Sequence, residues 1–294
     1  MSRYRVCFGC VTDEKIRYQR QAIFLLASLR HFGGEYADAD FLLCVAGQLA
    51  PELLVQAKQL DARVIPVERV SGHLPATSKL RFLQRPELLA YDYTVLLDCD
   101  TAIVRPPGGL FGGRGVRARL AGSTSVPPAI LADLFARAGL PPQDACYWTT
   151  VKPERTPLYA NSGVIAVATG VIETFVDRWI KHQCWLLEQP ELLPGCARHT
   201  NQASLSVALV DTGVPFEPLD IGFNFPVHRA PPSFFTPEIS ALAPTILHYD
   251  LSDQDGCLLP SAGRGSNEAI ARLNDAWRRT LPNGGTPSGI ASGP

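Results

Sequence analysis

The sequence has almost no excess charge, and this absence excludes a class of partners. Lys and Arg number 27 and Asp and Glu number 28, which gives a formal net charge of −1 for 294 residues. Since nucleic acids and anionic membranes are bound through basic surfaces, this balance argues against both as partners.

Long apolar runs are also missing. No run reaches the roughly 20 residues that a membrane-spanning helix needs. After Met1 the chain enters a strand-like segment almost directly, without the pattern of a signal peptide. We therefore expect a cytoplasmic protein that has no membrane span.

The cysteines lack the spacing of a metal site or a redox site. Cys7 and Cys10 form a C-x-x-C pair, but no second pair follows at the spacing that a zinc site needs. A redox motif should open a helix, whereas these two residues lie in or just after the first predicted strand. We interpret the cysteines as reduced side chains, several of them packed in apolar runs.

Strands and helices alternate along the first part of the chain. Apolar runs predict strands at 4–10, 39–47, 62–67 and 93–98, with helices beginning near residues 16, 51 and 77. Such alternation implies right-handed crossovers and a mostly parallel α/β sheet flanked by helices, with ligands outside the carboxyl ends of the strands.

The later pattern is less regular. Strands are predicted at 117–126, 160–168 and 245–250, and helices at 129–139, 171–189, 201–210 and 267–280. We predict a single domain over residues 1–280 with halves at 1–110 and 111–280. An exposed loop is expected at 229–244 and a mobile tail at 281–294.

Two carboxylates follow the fourth predicted strand. Residues 93–97, YTVLL, run directly into Asp98 and Asp100, which in an extended backbone point the same way, with Cys99 turned to the other side. Two negative charges at such a short distance repel each other unless a proton or a cation lies between them. Mg²⁺ and Mn²⁺ prefer carboxylate and phosphate oxygens. The pair predicts a metal site that holds a phosphorylated ligand, although an acidic turn would give the same pattern.

Three classes of protein could carry this pair. A nucleotide-sugar glycosyltransferase has a D-x-D motif at the end of a central strand. A haloacid-dehalogenase-like phosphatase would use Asp98 as nucleophile, but its motif usually follows the first strand and has Thr or Val where Ala102 stands. A non-catalytic nucleotide-sugar-binding module would keep the pocket without turnover.

Several segments together resemble one family. The chain resembles the GT-A-fold glycosyltransferases of the glycogenin and galactosyltransferase type, family 8, over roughly residues 4–250. The segments that carry the resemblance stand in the family's order: RVCFGCVTDEKIRYQRQAIFLLASLR, SKLRFL, YDYTVLLDCDTAIVRPPGGLF, YANSGVIAV, TNQASLSVAL, FNFPV and ILHYD.

The resemblance implies a metal-dependent transferase. Mn²⁺ or Mg²⁺ would be bound by Asp98, Asp100 and His248, and a neutral imidazole suits Mn²⁺ better. A lone His in an apolar strand is otherwise a packed residue. The donor would be a nucleotide sugar, most simply a UDP-sugar, and the acceptor a hydroxyl or amine, such as that of a small metabolite, with retention at the anomeric carbon.

The resemblance also implies the residues that contact the donor and the transferred sugar. Asn161, Asn201 and Gln202 would act on the sugar. The nucleotide and diphosphate would contact residues after strand one, in the D-x-D block and in the two segments SKLRFL and YANSGVIAV: Cys10, Val11, Thr12, Asp13, Lys79, Arg81, Asp98, Cys99, Ser162 and Gly163.

The chain departs from the family pattern at two places. The family has a Lys after the metal-binding His, but none follows His248, and we hypothesise that Arg264 substitutes for it. The family's acidic residue before Gln is Asn201 here, and an amide cannot act as a general base. A third motif, G-x-G-x-x-A at 113–118, follows a Pro-Gly turn and is interpreted as a chance match.

Overall fold

Continuous apolar runs form parallel strands that are buried on both faces, as expected when helices cover a sheet from two sides. Strand β1 (Val6–Asp13) pairs in parallel with β2 (Asp40–Ala46) and with β4 (Tyr93–Leu97), and β2 pairs with β3 (Ala62–Pro66). The predicted mostly parallel α/β sheet is confirmed.

The computed structural model describes residues 4–280 apart from 73, 254 and 255. The predicted mobile tail, 281–294, lies outside the described residues. Within the described ranges, every helix is too short or too polar to cross a bilayer.

Three further strands extend the central sheet to the order β10-β6-β9-β4-β1-β2-β3. They are β6 (Val116–Leu120), β9 (Ala160–Ala168) and β10 (Phe216–Pro218). Strand β9 runs antiparallel to both β4 and β6, whereas β10 pairs in parallel with β6. The carboxyl ends of β1, β2, β3, β4 and β6 therefore meet at one edge, and the amino end of β9 lies among them.

A small second sheet lies beside this edge. Strand β5 (Thr101–Ile103) pairs antiparallel with β12 (Ile246–His248), which pairs in parallel with β11 (Phe225–Pro226). A two-stranded hairpin joins β7 (Tyr147–Trp148) and β8 (Arg155–Thr156). Because β5 follows the D-x-D residues, this sheet brings a distant part of the chain to them.

Helices cover the two faces of the central sheet with separate apolar clusters. The helices are α1 (Ile16–Phe32), α2 (Pro51–Gln59), α3 (Leu80–Leu83), α4 (Pro128–Arg137), α5 (Thr169–Glu188), α6 (Thr200–Thr212), α7 (Pro237–Ala241) and α8 (Arg264–Thr280). On one face, α1 and α8 pack against the sheet, and Phe24 and Trp277 meet edge to face at 5.1 Å. On the other face, α3, α5 and α6 pack around the buried Trp179.

Two local predictions change, and the motif at 113–118 remains a chance match. The helix expected from residue 77 is a 3-10 turn at Pro75–Lys79 followed by the single turn of α3. The expected exposed loop at 229–244 contains a 3-10 turn and α7, and its Phe234 is buried against the core. The motif at 113–118 leads into β6 and not into a helix, so it is a chance match.

Candidate active site

A cavity of about 290 Å³ opens where the strands β1, β2, β3 and β4 end. Parallel strands place their carboxyl ends together, so the residues after them share one surface. The lining combines acidic, basic and polar side chains: Val11, Thr12, Asp13, Lys15, Tyr18, Gln21, Ala46, Arg69, Ala76, Ser78, Lys79, Asp98, Cys99 and Asp100.

The D-x-D residues form a turn and not the extended segment predicted from the sequence. Strand β4 ends at Leu97, and the Asp98 carbonyl accepts hydrogen bonds from the Thr101 N–H at 3.1 Å and the Thr101 hydroxyl at 2.7 Å. Cys99 turns towards β1, with its Sγ 3.2 Å from the Val11 carbonyl oxygen. The two carboxylates still converge, with ligand oxygens of Asp98 and Asp100 within 4.8 Å of each other.

His248 reaches this turn through the small sheet. In the β5–β12 pair His248 lies opposite Thr101, one residue after Asp100, and the Tyr249 N–H donates to the Asp100 carbonyl at 2.9 Å. Ligand atoms of Asp98, Asp100 and His248 all lie within 4.8 Å of one another. The three predicted metal ligands are thus together, although the sequence separates His248 from the pair by almost 150 residues.

Asn224 determines which imidazole nitrogen of His248 is free. The His248 Nδ1 lies 2.8 Å from Asn224 Oδ1, and the Asn224 Nδ2 donates to Asn161 Oδ1 at 2.8 Å. Since the carbonyl end of Asn224 faces the ring, Nδ1 carries the proton. The Nε2 lone pair then points towards Asp100, at 3.3 Å from its Oδ1 and without a hydrogen bond.

Two cations already contact the carboxylates. The buried Lys79 Nζ donates to Asp98 Oδ1 at 2.6 Å and to the Ser162 carbonyl and hydroxyl at 3.0 and 3.1 Å. The Arg229 Nη2 donates to Asp100 Oδ2 at 3.2 Å and to Asp250 Oδ1 at 2.9 Å. Burial alone would raise the pKa of Asp100, but His248 in its doubly protonated form, Arg229 and Lys79 together outweigh burial and lower the pKa to about 2.

The donor set suits a hard divalent cation. Lys79 and Arg229 each use one carboxylate oxygen, and the second oxygens of Asp98 and Asp100 accept no hydrogen bond from the described residues. With the buried, unbonded Nε2 of His248, these atoms form an O, O, N set, which Mn²⁺ and Mg²⁺ accept and to which Mn²⁺ is better suited.

Amide side chains connect His248 to Gln202 through a chain of hydrogen bonds. Asn161 Oδ1 accepts from the Gly163 N–H at 2.8 Å, and Asn161 Nδ2 donates to Gln202 Oε1 at 3.2 Å. Gln202 Nε2 in turn lies 3.1 Å from His199 Nδ1. Each amide gives its N–H to the next carbonyl, so the chain from His248 to Gln202 has a single direction.

The predicted residues at the end of β1 line the cavity, whereas Gly163 lies against His248. Val11, Thr12 and Asp13 line it, and the buried Thr12 Oγ1 has no hydrogen-bond partner in the described part of the chain. Asp13 also accepts the Lys15 N–H at 2.8 Å, as a helix-start turn would. At Gly163, an added Cβ would lie 2.9 Å from the His248 ring, so the absence of a side chain at this glycine makes room for His248.

Several predicted residues do not line the cavity, and four of them have their contacts elsewhere. Cys10 is fully buried in the core beneath it. Arg81 donates to the Glu68 carbonyl and to Gln84. Asn201 is buried, with one end of its amide bound to Gln183 and the other to the Ala76 carbonyl. The exposed Arg264 starts α8, outside the cavity lining.

The sequence did not identify Asn224, Arg229 or Arg69. Asn224 and Asp250 stood in the quoted segments FNFPV and ILHYD, so their position in the family order was the available signal. Arg229 lies in a segment interpreted as a loop, and Arg69 follows β3 without any motif. Arg229, and not Arg264, contacts the acidic cluster directly.

Known proteins match the chain through a family model and through the fold. A model described as the Rhodobacterales glycosyltransferase domain matches residues 9–213. Among proteins with curated functions, no sequence matches this chain at a significant level.

Solved glycosyltransferase structures share the fold over nearly the whole chain. The galactosyltransferase LgtC, in complex with donor and acceptor sugar analogues, is 14% identical, with 94% of this chain and 100% of that chain covered and a TM-score of 0.58. GlyE of Streptococcus pneumoniae TIGR4 is 16% identical, with 96% and 61% covered and a TM-score of 0.55. Mouse xyloside xylosyltransferase 1 is 11% identical, with 86% and 98% covered and a TM-score of 0.50. These likenesses confirm the predicted GT-A fold.

Proposed function

The chain belongs to the Rhodobacterales glycosyltransferase domain family, and we propose that it is a metal-dependent enzyme that moves a sugar from a nucleotide-diphosphate sugar to a hydroxyl or amine. The observation that carries the metal dependence is the convergence of Asp98, Asp100 and His248 within 4.8 Å at the edge of the cavity. The family and the fold do not favour the phosphatase alternative.

The cavity is suited to the nucleotide diphosphate. Its volume of about 290 Å³ is at the lower end of small-molecule sites. Lys15 and Arg69 in the lining supply positive charge for phosphate oxygens, and Arg229 stands beside Asp100. Thr12 and Asp13 would bond the ribose or base, for which we propose uridine. In this assignment residues 1–110 supply most contacts to the nucleotide diphosphate, Arg229 and His248 join them from the second half, and the acceptor binds to residues within 111–280.

The metal site would serve the departing diphosphate. A bound Mn²⁺ or Mg²⁺ would act as a Lewis acid that neutralises the charge on the leaving group. The chain's own residues prepare this site: Lys79 fixes Asp98 against Ser162, and Asn224 keeps the His248 Nε2 lone pair directed at Asp100. Ligands held in this way need little rearrangement when the ion and donor bind.

We propose that Gln202 and Asn161 act on the sugar. Asn161 holds the Gln202 carbonyl at 3.2 Å, so the orientation of the Gln202 amide is set. A neutral amide oxygen can stabilise positive charge on the anomeric carbon but cannot remove a proton from the acceptor. We therefore propose retention at the anomeric carbon. The Asn201 amide accepts a hydrogen bond from Gln183 and donates one to the Ala76 carbonyl, so we propose that Asn201 positions α6 and does not act on the sugar.

The test measures release of UDP from a panel of UDP-sugars with and without Mn²⁺. Asp100→Asn should abolish the metal-dependent release while circular dichroism shows an intact fold. Asp250→Asn is the matched control, because Asp250 binds the same Arg229 without belonging to the ligand set. Full activity of Asp100→Asn would overturn the proposal. Binding of UDP and Mn²⁺ without consumption of any donor would indicate a non-catalytic module.

A further inference from the structure

Arg229, three residues after β11, joins two carboxylates through a single nitrogen. Its Nη2 donates to Asp100 Oδ2 at 3.2 Å and to Asp250 Oδ1 at 2.9 Å. Its Nε and Nη1 donate to none of the described residues, and the side chain is 53% exposed. The guanidinium is therefore held at one corner only.

The other cation at the D-x-D turn is held much more firmly. The Lys79 side chain is 8% exposed, and its Nζ donates to Asp98 Oδ1 and to the carbonyl and hydroxyl of Ser162. An ammonium group has three N–H bonds, so these contacts use all of them. An exposed ion pair such as Arg229–Asp100 contributes little, because water solvates the separated partners almost as well. Of the two cations, Arg229 is the one that can leave its carboxylate at little cost to the fold.

The acidic cluster around Arg229 is already neutral. Arg17 Nη2 donates to the Asp250 carbonyl at 2.8 Å and lies 3.9 Å from Asp250 Oδ1. Three carboxylates are thus matched by three cations: Asp98, Asp100 and Asp250 by Lys79, Arg229 and Arg17. A divalent cation that joined this cluster alone would add two positive charges without any charge to balance them. The phosphate oxygens of a nucleotide diphosphate would supply that balance.

The backbone that leads to Arg229 is fixed beside the candidate metal ligands, so a movement is confined to the side chain. The Val227 N–H donates to the His248 carbonyl at 2.9 Å, and the His228 Nδ1 accepts from the Asp250 N–H at 3.1 Å. A guanidinium that leaves its carboxylate therefore stays close to the metal site. Its planar set of N–H groups matches two oxygens of a phosphate.

We propose that Arg229 is a stand-in cation, which neutralises Asp100 until the donor binds and then turns to the phosphate oxygens of the nucleotide. Arg229 thereby couples the two ligands, since binding of the nucleotide removes the positive charge from Asp100. By reciprocity, metal and nucleotide strengthen each other's binding by the same factor. This inference rests on the proposed function, which supplies the phosphate.

The test measures Mn²⁺ binding by electron paramagnetic resonance, with and without UDP, after correction for the Mn²⁺–UDP complex in solution. Asp100→Asn identifies the specific site by the loss of binding. For the wild type, UDP should lower the dissociation constant of Mn²⁺ about tenfold or more.

Arg229→Met should change both measurements. Without UDP it should bind Mn²⁺ at least about threefold more tightly than the wild type, because the guanidinium no longer neutralises Asp100. The factor by which UDP strengthens Mn²⁺ binding should fall at least about fivefold, because the link between the two ligands is lost. Circular dichroism checks that the variant is folded.

Two control variants separate the role of Arg229 from a general loss of positive charge. Arg17→Met removes a cation that contacts Asp250 but neither D-x-D carboxylate, and should leave both measurements unchanged. Arg229→Lys keeps the charge without the planar set of donors. It should bind Mn²⁺ alone as weakly as the wild type, with a smaller effect of UDP.

Equal Mn²⁺ affinities of the wild type and Arg229→Met without UDP would overturn the proposal. The same gain in Arg17→Met, or no effect of UDP on the wild type, would also overturn it. None of these measurements requires turnover. A chain that shows the coupling but consumes no nucleotide sugar would fail the proposed function, while the inference about Arg229 would stand.

Discussion

Replacement of Asn224 by Leu tests the hydrogen bonds that prepare the metal site. Asn224 is fully buried, accepts the His248 Nδ1–H at 2.8 Å and donates to Asn161 Oδ1 at 2.8 Å. Leu keeps the number and branching of the side-chain heavy atoms and removes both hydrogen bonds. An orphaned buried donor costs about 1–3 kcal/mol, and an ordinary hydrogen bond about 1 kcal/mol. Asn161 keeps its bond from Gly163, so we expect a loss of about 2–4 kcal/mol in the free energy of unfolding.

In Asn224→Leu, the imidazole of His248 can avoid an unbonded Nδ1–H by moving its proton to the other ring nitrogen, and this move weakens metal binding. The proton can move to Nε2, which lies 3.3 Å from Asp100 Oδ1. That tautomer has no lone pair for an ion at Nε2. We therefore expect Asn224→Leu to weaken Mn²⁺ binding about 10- to 100-fold, the usual effect of removing a group that orients a metal-binding His.

Urea denaturation without metal measures the first effect, and electron paramagnetic resonance of free Mn²⁺ measures the second. Asn224→Asp is the control, because its carboxylate still accepts from Nδ1 while it cannot donate to Asn161. Its Mn²⁺ affinity should stay within a few-fold of wild type. If Asn224→Leu binds Mn²⁺ as tightly as wild type, the reasoning about the tautomer is refuted.

Three further predictions concern the same cluster. Gly163→Ala places a Cβ 2.9 Å from the His248 ring and should weaken Mn²⁺ binding. Gly170→Ala is the control, because a Cβ at Gly170 has nothing within 4 Å and should leave the affinity unchanged. Equal Mn²⁺ affinities of the two variants in calorimetry would contradict the packing argument. Lys79→Met removes the ion-pair partner of Asp98, whose oxygen lies 2.6 Å from the Lys79 Nζ, and should lower the melting temperature. Added Mn²⁺ should restore part of the lost stability. An unchanged melting temperature would show that the Lys79–Asp98 pair contributes nothing to stability. His248→Ala should raise the Mn²⁺ concentration needed for half-maximal donor turnover, and an unaltered metal titration would show that His248 is only a packed residue.

The sequence predicted the features that depend on local pattern. Apolar runs marked β1, β2 and β4 because strands buried on both faces need apolar residues at every position. Since parallel strands end at one edge, Asp98 and Asp100 were also placed correctly beside a cavity.

Features that depend on pairing between distant segments were not predictable from the residues alone. His248 meets Asp100 because β12 pairs with β5, a strand of three residues with no signal of its own. Asn224 and Arg229 reach the cluster in the same way, through the segments on either side of β11. The family resemblance identified His248 as a candidate metal ligand, but the hydrogen bonds that orient its ring are seen only in the structure.

Anomalous diffraction at the manganese edge, from crystals grown with Mn²⁺ and UDP, tests the metal site most directly. We predict a peak bonded to Asp98, Asp100 and His248, with the nucleotide in the cavity next to it. A peak elsewhere, or none, with Lys79 and Arg229 still in contact with both carboxylates, would contradict the account.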